Sequence, residues 1–513
     1  MEYSLLKKAI TLSETVFEGS CEQPIDLDFN LPDYCPDILK ILKCQVYPKV
    51  YTRNISGDRL DVDGCAIVKI MYVESIKKAV RCSEQTVPFS CSFNLKTTPQ
   101  NAVVLTTVKP EYLNCRALSP RRLDIHGAFT VNAKVICKTD NEIAYCIEDK
   151  DAQIKKEKCA VSTVVGCTQQ LFSVTEDIEI KENQAPVEAV LRSDASAVVS
   201  DYKIISNKIM AKGEVTLKLL YLSNLDTGNI DVLEYTIPIS QIIDVDGVDE
   251  NSKATIKLDL LNYDVKVRND LADNNIIISF ESKLCLTAEI YAEEEVEIIT
   301  DAYSTKYDMD LIYSQKTLAY LNTIVSDNCI SKNSIELSSS GILKVLDLWS
   351  EQCVCKTLIE NGQIVVAGKV NICILATDQE QNPFYTERTL DFTYPVTVNG
   401  DLSNLVVQAN AKVVSISYRL NGANNMEVRL DVKINAFVFE NKQIRVVTNA
   451  SANEEHLRIK DKNIALTLYY TDENEQIWNI ARNYCVSSEN IKIENDLTEE
   501  TVPSGKMILI PNI

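Results

Sequence analysis

The sequence predicts a mainly β protein: three tandem antiparallel β-sandwich or sheet repeats, followed by a small βααβ module. Three observations carry this reading. Val, Ile and Thr dominate segments that alternate apolar and polar residues, the period-two signature of half-buried strands. One order of anchor residues recurs three times. The last fifty or so residues then change to a strand, two short helical stripes and a closing strand.

The anchors define the repeats. Each repeat opens on an apolar stretch at Pro36, Pro186 or Gly341. A polar gap leads to a strand centred on Gly64, Gly213 or Gly368, and a strand with a proline follows at Pro88, Pro238 or Pro395. The period is about 150 residues, as expected for copies of one domain. The expected divisions are a lead-in strand over 1–35, repeats over 36–160, 161–330 and 331–455, and a module over 463–513. Three such domains in series resemble beads.

Taken in order, the lead-in alternates at Thr15-Val-Phe17 and Ile25-Asp-Leu-Asp-Phe-Asn-Leu31. Pro32 and Pro36 then fix a turn, because neither can sit in a helix interior or a central strand. The spacing of Ile38, Leu39 and Leu42 allows a short helical piece over 37–42, with counterparts in the other repeats. Arg59-Leu-Asp-Val-Asp-Gly64-Cys returns as Arg122-Leu-Asp-Ile-His-Gly127-Ala, so each domain reads as a duplication of about 60 residues. A glycine inside a good strand marks a bulge or a close backbone approach where a Cβ would clash. Asn421-Gly422 between two alternating runs signals a hairpin with a loop longer than two residues. In the module, Ile477, Ile480, Ala481 and Tyr484 share one helical stripe, and Ser487 or Ser488 is placed to cap the second helix.

Composition bounds the function. A hydrophobic content of 45% supplies cores, so the chain is not disordered. The net charge of −21 argues against nucleic acid or an anionic membrane, which both need a positive face. No secretory signal and no long apolar run are expected to place the chain in the cytosol without membrane insertion. The 17 cysteines include no C-x-x-C pair and read as small buried hydrophobes in a reducing compartment. Two histidines, His126 and His456, give little material for a metal site or triad, and His126 reads as structural. No phosphate loop, dinucleotide fingerprint or nucleophile elbow occurs, so no catalytic residue, metal or cofactor is assigned. The run Glu293-Glu-Glu-Val-Glu297 reads as a solvated strand end. Arg121 and Arg122 read as surface charge, with a carboxylate clamp between domains as the alternative. Trp478 either fills the module core or lines an interaction surface.

The C-terminal order resembles a LysM module. The family's usual Gly-Asp-Thr-Leu-Trp-x-Ile-Ala opening corresponds to the run from Asn474 to Ala481, its Asn-Asn-Leu to Asn495-Asp496-Leu497, and its closing strand to Val502 through Pro511. The core positions match, whereas the sugar-holding loops depart: Gly-Asp-Thr has become Asn474-Glu475-Gln476. Three β-rich repeats followed by such a module are similar to the SipL-like family of spore morphogenetic proteins, whose repeats are called SPOCS domains. The stretches Leu31-Pro-Asp-Tyr-Cys-Pro-Asp-Ile38 and Leu118-Ser-Pro-Arg-Arg-Leu-Asp-Ile125 also look like that group. The resemblance implies a non-catalytic adaptor on the mother-cell cytoplasmic side of the developing spore coat. Its implied partner is the stage IV sporulation ATPase that forms the coat's basement layer, with other coat proteins as further partners. The implied docking groove comprises Asn474, Glu475, Gln476, Ile477, Trp478, Val502, Pro503, Ser504 and Gly505. A LysM protein that binds peptidoglycan in the cell wall is the alternative, disfavoured by the altered loops.

Overall fold

The computed structural model describes residues 2–99, 102–180, 184–269, 276–336, 341–398, 402–422, 424–458 and 464–512. Strands make up 79% of it and helices 4%, so the mainly β class stands. The first unit contains β1 (Leu5–Asn30), β2 (Ile38–Ser56), β3 (Arg59–Glu74), β4 (Val80–Asn94), β5 (Val103–Ser119) and β6 (Arg122–Ile147). They form two three-stranded antiparallel sheets, ordered β2-β3-β4 and β1-β6-β5. The second unit repeats this with β7 (Ala152–Glu179), β8 (Ala189–Ile205), β9 (Lys208–Asn224), β10 (Asn229–Asp244), β11 (Lys253–Asn269) and β12 (Ile276–Ser304). The third does so with β13 (Tyr307–Glu336), β14 (Lys344–Glu360), β15 (Gln363–Thr377), β16 (Pro383–Val396), β17 (Leu405–Leu420) and β18 (Asn425–Leu457). Their sheets are β10-β9-β8 with β11-β12-β7, and β14-β15-β16 with β13-β18-β17.

Within each unit the two sheets face each other across one core. In the first, Leu60, Val62 and Val68 of β3 pack with Leu123, Ile125 and Val131 of β6. The motif that is duplicated in the sequence thus supplies the central strand of each sheet. The strand that opens a unit pairs with the unit's last strand: β1 with β6, β7 with β12, β13 with β18. By pairing, the units run 5–147, 152–304 and 307–457, and the sequence anchors begin at the second strand of each.

The glycines sit where a close approach requires them. A Cβ on Gly64 would lie 2.1 Å from the carbonyl oxygen of Lys49, and one on Gly213 would lie 2.4 Å from that of Val198. The ladder slips one residue beside each, between Val50 and Thr52 and between Val199 and Asp201. Pro88, Pro238 and Pro395 all lie on edge strands, where a missing N–H costs no ladder bond. Pro88 and Pro238 face the residue after the glycine, Cys65 and Glu214, whereas Pro395 faces Val365 and the register equivalent is Asp391.

The expected helical piece at 37–42 is instead β-strand. Leu42 is a bulged residue: Ile41 and Lys43 pair with Tyr72 and Met71, and the ladder skips it. Leu191 and Leu346 are skipped in the same way in β8 and β14. A bulge breaks the two-residue alternation, and this produces the spacing that imitates a helix.

Nor are the units beads. In the three sheets β2-β3-β4, β8-β9-β10 and β14-β15-β16, here called the upper sheets, the last strand of each touches the first strand of the next, β4 with β8, β10 with β14, and β16 with β2, which closes a ring about a pseudo-threefold axis. One core is built from all three units and holds Met71, Leu191, Leu220, Trp349 and Leu375, with Leu42 and Leu346 packed against it. The other three sheets share a second, with Ile10, Ile143, Val161, Ile298, Leu318 and Val446. Directly after the bulges stand three register-equivalent residues, Lys43, Arg192 and Asp347. Arg192 and Asp347 form a buried ion pair at 2.9 Å, 4% and 1% exposed, and Lys218 adds a second contact to Asp347 at 2.8 Å. Arg192 also stacks on Trp349, 4.3 Å from its ring, and Lys43 pairs with Glu387.

Two further expectations change. The Glu293–Glu297 run lies within β12 and is paired, not merely solvated: Glu294 with Lys8 of the first unit, Glu295 with Lys158 at 3.1 Å and Glu297 with Lys156 at 3.0 Å. Arg121 clamps the Leu31–Asp37 turn inside its own unit, donating to the carbonyls of Cys35 and Pro32 and to Asp37. Arg122 pairs with Asp28. All 17 cysteines are free thiols and none is exposed, as small buried hydrophobes should be. His126 lies on the outside of β6, 3.1 Å from Asp26 and 2.9 Å from Asp124. Among the described residues no helix is long and apolar enough to cross a membrane.

Candidate interaction site

The C-terminal module follows the βααβ order. Its elements are β19 (Leu466–Tyr470), β20 (Glu475–Gln476), α1 (Ile477–Tyr484), α2 (Ser488–Glu494), β21 (Thr501–Val502) and β22 (Met507–Pro511). Helices this short need tertiary packing, and Ile477, Ile480, Ala481 and Ile491 supply it against Ile508 and Ile510 of β22. Tyr484 is 40% exposed and leaves the expected stripe, its ring edge-on to Tyr469 at 5.7 Å. Cys485 ends α1 in the left-handed conformation, and the Val486 N–H returns to the Ala481 carbonyl at 3.0 Å. Ser487 occupies the cap position of α2, though its side chain makes no capping bond. Asn495 ties α2 to β22: it donates to the Leu509 carbonyl at 2.6 Å and accepts from the Leu509 N–H at 2.6 Å.

Trp478 is 7% exposed, packed among the module's apolar residues and against β12 of the second unit. Its indole N–H donates to Asp301 at 2.8 Å, and its ring meets Tyr303 edge-on at 4.9 Å. Arg482 donates to the same Asp301 oxygen at 2.8 Å, while Tyr313 donates to the other oxygen at 3.1 Å. The Tyr303 hydroxyl donates to the Val486 carbonyl at 2.7 Å, and burial pushes this phenol well above its ordinary pKa. Lys155 reaches Gln476 at 3.0 Å, and Arg458 reaches the Cys485 sulfur. Trp478 therefore packs in the module's core, as the first reading of the sequence has it, and at the same time anchors the module on the ring through Asp301 and Tyr303.

The expected groove residues separate into three sets. Gln476 and Trp478 face the ring. Ile477 and Val502 are buried, and Glu475 accepts from the Tyr469 hydroxyl at 2.9 Å. Asn474, Pro503, Ser504 and Gly505 are exposed, with Asn474 and Gly505 at positive φ. A second surface was not foreseen. Leu466, Leu468 and Tyr470 alternate outward along β19 at 46%, 60% and 65% exposure, and Met507 opposite Tyr470 adds 48%. The alternation Leu-Thr-Leu-Tyr-Tyr carried that signal, because in a sheet with helices on one face every second residue looks away from them.

The chain is thus a repeat protein of fused double-sheet units with a small peripheral module. The family model described as "SipL, SPOCS domain" matches residues 37–118 and 186–268. These segments are β2–β5 of the first unit and β8–β11 of the second, so the chain carries repeated SPOCS domains in the manner of a SipL-like protein. The matching strands of the third unit, β14–β17, keep the same order but lie outside the matched segments. SPOCS is a non-enzymatic sporulation domain family. No curated protein and no solved structure matches the chain.

Proposed function

We propose that this protein is a non-catalytic adaptor in endospore coat assembly. It docks through its LysM-like module on the sporulation morphogenetic ATPase at the forespore surface, from the mother-cell side. The sporulation assignment rests on the SPOCS match. The single observation that favours a protein partner is the outward apolar face of Leu466, Leu468, Tyr470 and Met507. Such a clustered apolar patch suits a protein contact better than a sugar chain.

The test uses the full chain, with binding to the purified ATPase and retention on peptidoglycan measured side by side. Leu468→Arg changes an exposed residue and leaves the fold intact. ATPase binding by the parent, weakened at least tenfold in Leu468→Arg, is expected. Peptidoglycan retention without ATPase binding would instead establish the wall-binding reading.

A further inference from the structure

The ring has a hollow centre. One cavity of about 690 Å³ is lined by residues of all three units, and a second of about 600 Å³ adjoins it through Leu258, Asp259 and Lys412. A volume of this size accommodates a small molecule, and such sites commonly form where domains meet. The ring closure places the cavity, because every unit turns one strand of each sheet toward the axis.

Its lining is short of acceptors. Lys412 donates to the Ala197 carbonyl at 2.6 Å, and Arg53 to the Val104 carbonyl at 3.2 Å. Lys49 reaches only Asn262 and the Tyr263 carbonyl, both at 3.4 Å, and lies 3.9 Å from the Tyr263 ring. Among the described residues none of these three cations has a carboxylate within ion-pair distance. All three are half-buried, and cations withdrawn from water are ordinarily paired. Burial holds both Lys49 and Lys412 below the usual lysine pKa; Lys69 adds to the effect at Lys49, and Asp259 and Asp194 only partly oppose it at Lys412. Two side chains more than nine-tenths buried also line the cavity with atoms that lack a partner: Nε of Arg192, 4% exposed, and Oγ1 of Thr106, 8% exposed.

The opposite sign is present too. Glu351 and Glu387 face Lys43, Asp194 faces Arg192 at 3.3 Å, and Glu111 faces Lys109 at 3.0 Å. These four carboxylates are therefore occupied. Asp259 pairs with Lys257 at 3.0 Å through one oxygen, and its other oxygen is buried and unpartnered, so it can accept from a ligand hydroxyl.

We infer that this axial cavity is a binding site for a small organic polyanion that carries a hydroxyl group. Lys49, Arg53 and Lys412 receive the anionic groups, and Asp259 receives the hydroxyl. The site is independent of the C-terminal module and of its partner. A hydroxy-polycarboxylate and a sugar phosphate share the required chemistry, so both are tested.

The experiment follows thermal unfolding of the full chain with citrate or glucose 6-phosphate, against sodium chloride at equal ionic strength. One or both probes are expected to raise Tm beyond the salt control, increasing with concentration as binding to the native state requires. The Lys49→Met/Lys412→Met variant separates this from a general salt effect. Removing two half-buried charges that no carboxylate pairs with should leave the unliganded Tm unchanged or higher, while the probe-dependent shift disappears. If neither probe exceeds the chloride control in the parent, the inference fails. It fails equally if the shift survives in a folded variant.

Discussion

Replacement of Asp301 tests how the module is held. One carboxylate oxygen accepts both the Trp478 indole N–H and Arg482, and the other accepts Tyr313. The Asp301 side chain is 20% exposed and Arg482 is 45% exposed. The indole bond to a charged acceptor contributes about 1.5–3 kcal/mol, whereas the half-exposed arginine pair falls to about 0.2–1 kcal/mol after solvent screening. Asp301→Ala should therefore weaken docking by about 2–4 kcal/mol, a factor of roughly 30 to several hundred. The Tyr303 contacts remain, so Asp301→Ala/Tyr303→Ala removes both anchors. The chain has two tryptophans. Trp349 is 3% exposed in the upper core, and Trp349→Phe leaves Trp478 as the single emitter. Acrylamide quenching of that emitter is expected to rise in Asp301→Ala and further in the double variant, with a red-shifted emission. If quenching in the double variant matches the parent while the module stays folded, the module alone shields Trp478 and the docking argument is wrong.

Asp347→Ala strands Arg192 in the shared core and should cost about 3–5 kcal/mol, read as a lower urea midpoint. Burial alone would raise the Asp347 pKa, but Arg192 and Lys218 outweigh it and hold the carboxyl below its ordinary value of 3.8. The stabilisation is therefore complete above about pH 4 and is lost as pH falls through the lower folded value, so the parent and Asp347→Ala curves should converge in acid. Gly64→Ala places a Cβ on the Lys49 carbonyl and should destabilise by about 1–3 kcal/mol or more. Gly422→Asn has open space but must hold φ +85°, which asparagine tolerates better than other side chains, so it should cost no more than about 1 kcal/mol in the urea midpoint. Arg121→Ala frees the turn around Tyr34, which is 88% exposed, and should speed chymotryptic cleavage after Tyr34.

What could be read from the chain was what local geometry writes into it. Gly64 and Gly213 betray themselves because a glycine in a Val- and Ile-rich strand has no propensity reason to be there. Pro88 and Pro238 mark edge strands for an equally local reason. The ring was hidden because Leu42, Leu191 and Leu346, which build it, are bulged residues whose spacing imitates a helical turn. A clue remained in Lys218, a charge inside an otherwise apolar strand, since such a charge needs a partner, and it finds one in Asp347 of the next unit. The seat for Trp478 lay beyond sequence reasoning, because Asp301 and Tyr303 come from another unit and no periodicity links them to α1.

The three positions after the bulges carry consequences for ancestry and for engineering. Lys43, Arg192 and Asp347 occupy one equivalent place yet are two cations and one anion. A homotrimer of any single unit would put three identical charges around the axis, where the pair that Arg192 and Asp347 make could not form. Fusion into one polypeptide removes that symmetry constraint, because each unit can then drift to a different charge. The same asymmetry gives each unit an address: a chain rebuilt from three copies of the first unit would close its ring on three lysines, each left to the neighbouring unit's Glu84, the register equivalent of the Glu387 that pairs with Lys43.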